Sequence, residues 1–316
     1  MLLLTQAPHP LPEDGDDMSA STRAAAACGW QVVHLPPGFD AEDVPALARA
    51  VPPQPPGTPA AWVGTIPSDA LYEAVSSAMS SRGARLLNDL EAHRRIFELD
   101  RALPLLGELT PRSVVLTSEA GVDAAIDALG LPVFVKGALL SRKHFGWEAC
   151  VAQGADDLRD KVRRLLARPY FARGRVIVRE LVRLRHHRVP AQDFPIGREY
   201  RVFLHRGEPL AHGYYWPYPH DFVALAPAEE AAMLAIAREG ARRLGAPFVS
   251  VDVGQLEDGR WILIESGDPQ FSGLSFIDPR ALWRRLTAAL AAERGEATPP
   301  TPGPPAIVVG ERAATG

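Results

Sequence analysis

The chain has 316 residues, enough for two modest domains or one large one. Apolar residues make up 47% and charged residues 23%, an ordinary balance for a globular protein, and 34 basic against 38 acidic residues leave a net charge of −4. That balance argues against nucleic acid or a membrane surface as a partner, and no apolar run nears the ~18 residues of a membrane span. Cys28 and Cys150 form no CxxC pair, so no disulfide framework or zinc site is expected, and a cytoplasmic location fits.

Residues 1–22 are rich in Pro, Asp and Ser without a period and read as a disordered start, MLLL being too short for a signal-peptide core. WQVVHL (30–35) and AAWVGTI (60–66) read as strands, with a short amphipathic helix, AEDVPALARAV, between them. SDALYEAVSSAMSSRG (68–83) has a Ser/Asp start and a closing glycine, the marks of a bounded helix, and ARLLND (84–89) is a further short strand. This alternation predicts a small α/β domain over 23–89 with a mostly parallel sheet. EAHRRIFELDRALPLLGEL (91–109) reads as helix interrupted at Pro104, followed by the strand SVVLTS, a helix over 119–129 and the strand LPVFVKG (131–137). Long hairpins are expected at 174–185, 199–216 and 249–266, with helices at 227–244 and 279–292 and a disordered Pro-rich tail over 295–316. The second part is therefore α+β.

The last hairpin carries a pair of acids. Asp258-Gly259 is a two-residue turn signal. That turn places Asp252 directly opposite Glu265 on one face, with β-carbons roughly 5 Å apart. Two carboxylates so placed among Val251, Val253, Ile262 and Ile264 repel unless a cation lies between them or one holds a proton. Hard oxygen ligands at that spacing suit Mg²⁺, and Asp268, just beyond the strand, offers a third carboxylate. The alternative is a pair of solvated surface acids.

Complementary charge stands at other strand ends. Lys136 closes PVFVKG, and the loop ALLSRKHFGW brings Arg142, Lys143 and His144. Arg179 and Glu180 end RVIVREL, and Glu199 and Arg201, two apart, share one face of GREYRVF. Cations emerging toward a divalent-metal site suit a polyphosphate; singly, each is equally explained as a strand cap or a local ion pair. No P-loop, GxGxxG, HExxH or GxSxG sequence is present. HGYYWPYPHDF (212–222) either lines a substrate cleft or packs as an aromatic loop, and RLRHHR (183–188) reads as solvated surface.

In order, VFVKG, VRELV, GREYRVF and the pair DV…IES resemble the ATP-grasp superfamily over about residues 86–290. VFVKGALLSRKHF, REYRVF and IESGDPQFSGL are more closely similar to the clade named for one arginine and two lysines. The resemblance implies an α+β fold in which two α+β subdomains over 90–294 grip ATP behind the small α/β domain. It also implies roles. Lys136 and Lys143 would contact ATP phosphates; Glu180 and the backbone through Val182 would meet adenine, and Glu199 the ribose. Asp252 and Glu265 would hold Mg²⁺, with Asp268 where many relatives have asparagine. Arg201, or else Arg179, would stabilise the transferred phosphoryl or the substrate carboxylate. The implied activity is ATP-dependent joining of a small-molecule or peptide carboxylate to an amine through an acylphosphate. A nucleotide-binding module without ligation explains the same acids and lysines. A metal-dependent phosphohydrolase leaves Lys136 and Glu180 without a role.

Overall fold

The computed structural model of the protein describes residues 1–12, 16–36, 38–188, 195–216 and 224–295. The expectations for the Pro-rich tail and for most of the aromatic segment after Trp216 lie outside these. The chain opens with a four-stranded parallel sheet in the order β2 (Gln31–His34), β1 (Leu2–Thr5), β3 (Thr58–Val63), β4 (Ala84–Leu86). Helices α1 (Asp17–Ala27), α2 (Val44–Ala50) and α3 (Asp69–Ser81) alternate with these strands. This corrects the expectation of disorder over 1–22. Leu2, Leu3 and Leu4 are all fully buried in an inner strand, and a three-residue apolar run covered on both faces shows no period to read. The acidic stretch likewise hides a helix start, because Asp16 caps α1 by accepting from Ser19 N at 2.9 Å. Ser68 does the same for α3 through Leu71 N.

The helical stretch after β4 divides at Glu98, not at Pro104. Glu98 is extended (φ −88°, ψ 106°) between α4 (Leu90–Phe97) and α5 (Leu99–Leu106), and α5 carries Pro104 inside it. The break has an electrostatic reason. The buried Glu98 carboxylate accepts from Arg94, Arg101, Arg173 and Arg175 at 2.5–3.3 Å, and Arg173 also reaches Asp69 of α3. A regular helical turn would point that side chain elsewhere. This hub ties the parallel-sheet unit to the rest of the chain.

Two antiparallel sheets follow. The first runs β5 (Ser113–Leu116), β8 (Val176–Glu180), β6 (Val133–Gly137), β7 (Val151–Ala152). It packs against α6 (Val122–Leu129) and α7 (Ala155–Leu166) through Val133, Val135, Leu158 and Val162. The hairpin expected at 174–185 is a single strand, β8, inserted between β5 and β6; Leu184 continues only to an isolated bridge with Leu256. Helix α7 was not anticipated, although its apolar spacing is regular. Behind Gly137 the chain turns so tightly on helix α8 (Pro169–Ala172) that a β-carbon there would lie 2.1 Å from Phe171 O, which requires glycine.

The second sheet runs β12 (Glu208–Tyr214), β11 (Glu199–His205), β13 (Phe248–Gln255), β14 (Trp261–Gly267), beside the two-stranded ribbon β9 (His186–Arg188) and β10 (Ile196–Gly197). Alternation decides its faces. Tyr200, Val202, Val251 and Val253 join the core with α9 (Pro227–Leu244). Phe203 and Phe248 pack with α10 (Pro279–Glu293) and α1 on the other side. On that second face, further along, stand Glu199, Arg201, Ser250 and Asp252. Among the described residues no helix is long and apolar enough to cross a membrane.

Candidate active site

The Asp252–Glu265 pairing is present, reached by a different route. The hairpin loop has three residues, Glu257 to Gly259, closed by Leu256 N to Arg260 O at 2.8 Å, with Gly259 at φ +89°. Val253 therefore faces Leu263, one residue out of the predicted register. A bulge at Ile264 restores it, so that Asp252 pairs with Glu265. Bulges re-aim side chains beside functional sites. Here the bulge also turns the Ile264 carbonyl toward Arg179, whose Nη1 donates to it at 2.7 Å.

Across the sheet Arg201 stands opposite Asp252 and Asp252 opposite Glu265. Arg201 grips Asp252 through both oxygens, Nε at 2.8 Å and Nη2 at 2.9 Å. Lys136, arriving from the first sheet and only 2% exposed, donates to Glu265 Oε1 at 2.5 Å. The row thus reads cation, acid, acid, cation, and each carboxylate has a cationic partner of its own. Burial opposes ionisation of Glu265, yet Lys136, Lys143 and Arg179 outweigh it and hold its carboxyl below the usual range. Burial pushes the Lys136 ammonium down despite Glu265. Burial also opposes charge on Arg201, but Asp252 more than offsets it and raises that pKa.

Lys143 sits on the loop after β6. Its ammonium lies 3.9 Å from Glu199 Oε1 and over the rings of Tyr215 and Trp216, at 4.9 and 5.3 Å from their centres. Buried Glu199 is pushed above the usual carboxylate range by desolvation, which Lys143 only partly offsets. Lys136, Lys143, Arg179, Glu180, Val182 and Glu199 line one pocket of about 80 Å³ between the two antiparallel sheets, with Trp147 and Phe134 on its walls. Glu180, at its mouth, pairs with Arg112 at 3.0 Å. Lys143, Arg201, Asp252 and Glu265 also line a larger cleft of about 810 Å³, whose walls include Tyr215 and Trp216. So the aromatic segment does line a cleft as far as Trp216.

Two predicted residues do other work. Asp268 is fully buried and turned away from the pair: it accepts from Gln270 N at 3.1 Å and faces His93 Nδ1 at 3.0 Å. Among the described residues no three His, Cys, Asp or Glu side chains are grouped to hold a metal ion. The carboxylate expected as a third metal ligand is thus engaged by His93 and Gln270. Arg179 directs its terminal nitrogens to Ile264 O and, at 2.6 Å, to Thr110 Oγ1; burial lowers its pKa to about 10. It is a strut that fixes the bulge beneath Glu265. Sequence reasoning missed Trp147, and it missed Asp17 and the loop Phe271–Phe276, which form the far wall of the larger cleft. The stretch FSGL, at the end of the last family-like motif, was the one signal that pointed to that loop.

A model of the ATP-grasp domain, family 3 of the clade named for one arginine and two lysines, matches residues 128–286. The chain belongs to this ATP-grasp family. The match starts before β6 and ends within α10, so it contains every residue of the charged row. No curated protein matches the chain. Solved ATP-grasp structures match along nearly its whole length. A RimK domain ATP-grasp protein from Sphaerobacter thermophilus is 18% identical, covering 89% of this chain and 97% of its own, with a TM-score of 0.56. D-alanine–D-alanine ligase from Bacillus anthracis, solved with ATP, is 12% identical over 94% and 98%, at 0.61. The ATP-grasp ligase PsnB, solved with a minimal precursor, Mg and ADP, is 15% identical over 93% and 98%, at 0.56. At these identities the likeness is one of ATP-grasp fold, and that α+β fold is what the two antiparallel sheets and the small parallel unit build.

Proposed function

We propose that the protein is an ATP- and Mg²⁺-dependent ligase that joins a carboxylate to an amine through an acylphosphate. The observation that carries this reading is the row Arg201, Asp252, Glu265, Lys136, set between a small pocket and a cleft of substrate size. The unit spans about residues 90–294, behind an N-terminal domain that reaches back to Met1.

The site suits the implied metal. Mg²⁺ commonly takes one or two carboxylates and completes its shell with water and phosphate oxygens. Asp252 and Glu265 supply two carboxylates in register, each already balanced by a cation of its own. Four cations (Lys136, Lys143, Arg179, Arg201) face three acids (Glu199, Asp252, Glu265), while a nucleoside triphosphate brings about four negative charges. The residual positive charge of one falls short of that, and a divalent ion bound by Asp252 and Glu265 would supply two of the three charges still needed. When bound, it neutralises phosphate charge and polarises the phosphoryl oxygens.

The protein's own groups then act by position and charge. Lys136 and Lys143 transfer from Glu265 and Glu199 to the phosphates, Glu180 and the Val182 backbone meet the adenine edge, and Glu199 takes the ribose hydroxyls. At about 80 Å³ the pocket is narrower than the several hundred usual for ligands, so entry requires the Lys143–Trp147 loop to move outward. Arg201 orients the substrate carboxylate and stabilises the transferred phosphoryl. No side-chain nucleophile is needed. The test is ADP release from ATP and Mg²⁺ with pooled acids and amines. Asp252→Asn with Glu265→Gln should abolish it, and unchanged turnover in that double variant would remove the proposed site. ATP affinity with no ADP release from any pool would favour a binding module instead.

A further inference from the structure

Lys143 hangs from the first antiparallel sheet and Arg201 stands in the second, and one aromatic ring joins them. Tyr215 follows β12 directly, and its amide donates to Glu199 O at 2.9 Å, which ties it to β11. Its ring meets that of Trp216 edge-on, at 5.3 Å and 86°. The Lys143 ammonium lies 4.9 Å from the centre of the Tyr215 ring, and the Arg201 guanidinium carbon lies 5.0 Å from the same centre. Both cations are mostly buried, with side chains 16% and 15% exposed. Lys143 favours loss of the phenolic proton, but burial and Asp252 outweigh it and raise the Tyr215 pKa, so both cations meet a neutral ring.

Two cations brought to one ring repel each other, and Glu199, Asp252 and the ring itself offset that repulsion. The carboxylates and the ring differ in what a nucleotide does to them. Phosphate oxygens compete with carboxylate oxygens for the same N–H donors. A ring attracts a cation through the quadrupole of its face, so this contact persists while phosphate replaces carboxylate. The ring is also fixed to the second sheet, whereas the Lys143–Trp147 loop must move for a nucleotide to enter. We propose that Tyr215 is a positioning residue: its ring is the seat onto which that loop closes, and it sets Lys143, on the nucleotide side, at a fixed reach from Arg201, on the acyl side. The phosphate role of Lys143 rests on the ligase reading; the seat does not.

The test uses the full chain, calorimetric titration with a non-hydrolysable ATP analogue and Mg²⁺, and thermal melts without nucleotide. Tyr215→Phe keeps the face of the ring and should bind the analogue within about twofold of wild type. Tyr215→Leu should weaken binding about 5- to 30-fold, the scale of a desolvated cation–π contact. Fluorinated phenylalanines at this position keep the shape while draining the quadrupole, so affinity should fall with each fluorine added; the series also serves if Tyr215→Leu fails to fold. In a Lys143→Met background the same series should change affinity by less than about twofold. Flat affinity along the series, or an equal fall with and without Lys143, overturns the proposal. So does a loss in Tyr215→Phe as large as in Tyr215→Leu, which would assign the role to the hydroxyl. Melts give the reading that needs no nucleotide. The melting temperature should drop along the series, and by less in Lys143→Met, where Arg201 alone of the two cations remains; an equal drop in both backgrounds overturns the seat. A wild type that binds no analogue counts against the nucleotide reading, and the melts still decide the ring. Absence of ADP release would count against ligation without altering either series.

Discussion

Replacing Lys136 with methionine separates its two jobs. The change keeps the length of the stem, which lies in the sheet opposite Ile177, and removes the ammonium that donates to Glu265. Breaking a fully buried ion pair costs about 3–5 kcal/mol. Here three facts reduce that figure. Glu265 is 26% exposed, Lys143 and Arg179 still favour its charge, and the burial penalty on Lys136 itself disappears. A loss of about 1–2 kcal/mol is expected, which lowers the melting temperature by a few degrees in a chain of this size. The pH dependence gives a second reading of the same pair. Glu265 has a folded pKa below its unfolded one, so its contribution to stability is present above the unfolded value and is lost as pH falls through the folded one. Without Lys136 that folded value rises, and the acid limb of the stability curve should move toward neutral pH. For ATP the loss is larger, because a charge-assisted hydrogen bond to phosphate contributes about 1.5–3 kcal/mol, or roughly 10- to 150-fold in affinity. Calorimetric titration with a non-hydrolysable ATP analogue and Mg²⁺, run beside thermal melts from acid to neutral pH, measures both. A lowered melting temperature with nucleotide affinity unchanged within about twofold would refute the phosphate role and leave Lys136 as the partner of Glu265.

Asp268→Asn should destabilise the protein by about 1–3 kcal/mol, since Asp268 is fully buried against His93 and Gln270, while the Mg²⁺ concentration for half-maximal ADP release stays put; a raised Mg²⁺ requirement without loss of melting temperature would return Asp268 to the metal. Glu199 has a folded pKa raised by burial, so above the unfolded value the folded state retains an extra proton and stability falls as pH rises toward the folded value. Glu199→Gln should remove that downward slope in melts above about pH 4.5, and an unchanged slope would contradict the assignment. Arg179→Lys should reduce turnover more than ATP affinity, because a lysine cannot reach Thr110 and the Ile264 carbonyl together to fix the bulge beneath Glu265; an equal loss in both would place Arg179 on the nucleotide.

Legibility followed the range of the interactions involved. Helices 227–244 and 279–292 were marked by local signals, proline at their starts and regular apolar spacing, and the structure places them within a residue of those limits. Local signals also misled. The proline at 104 looked like a break, but the decisive residue was Glu98, whose four arginine partners lie on α4, on α5 and in the turn between α8 and β8. Leu2–Thr5 was invisible for the same reason: its burial depends on strands that begin at residues 31 and 58.

The carboxylate pair shows how a correct contact can come from an incomplete argument. A two-residue turn at Asp258-Gly259 and a bulge-free ladder would have given the same 252–265 pairing that a three-residue loop and a bulge produce together. The two departures cancel at the acids and nowhere between them, since Val253, Gly254 and Gln255 all stand one residue out of the predicted register. That locates what local sequence cannot carry. The turn is set by residues 256–260, but the bulge is held from outside the hairpin, by a guanidinium on β8 that needs a carbonyl to bind. The charges reading cation, acid, acid, cation lie on four strands of two sheets, and their order appears only when those sheets meet. Like charges in register were the visible half of the pattern; Arg201 and Lys136, which make the pair tolerable before any nucleotide arrives, were visible as residues but not as its partners.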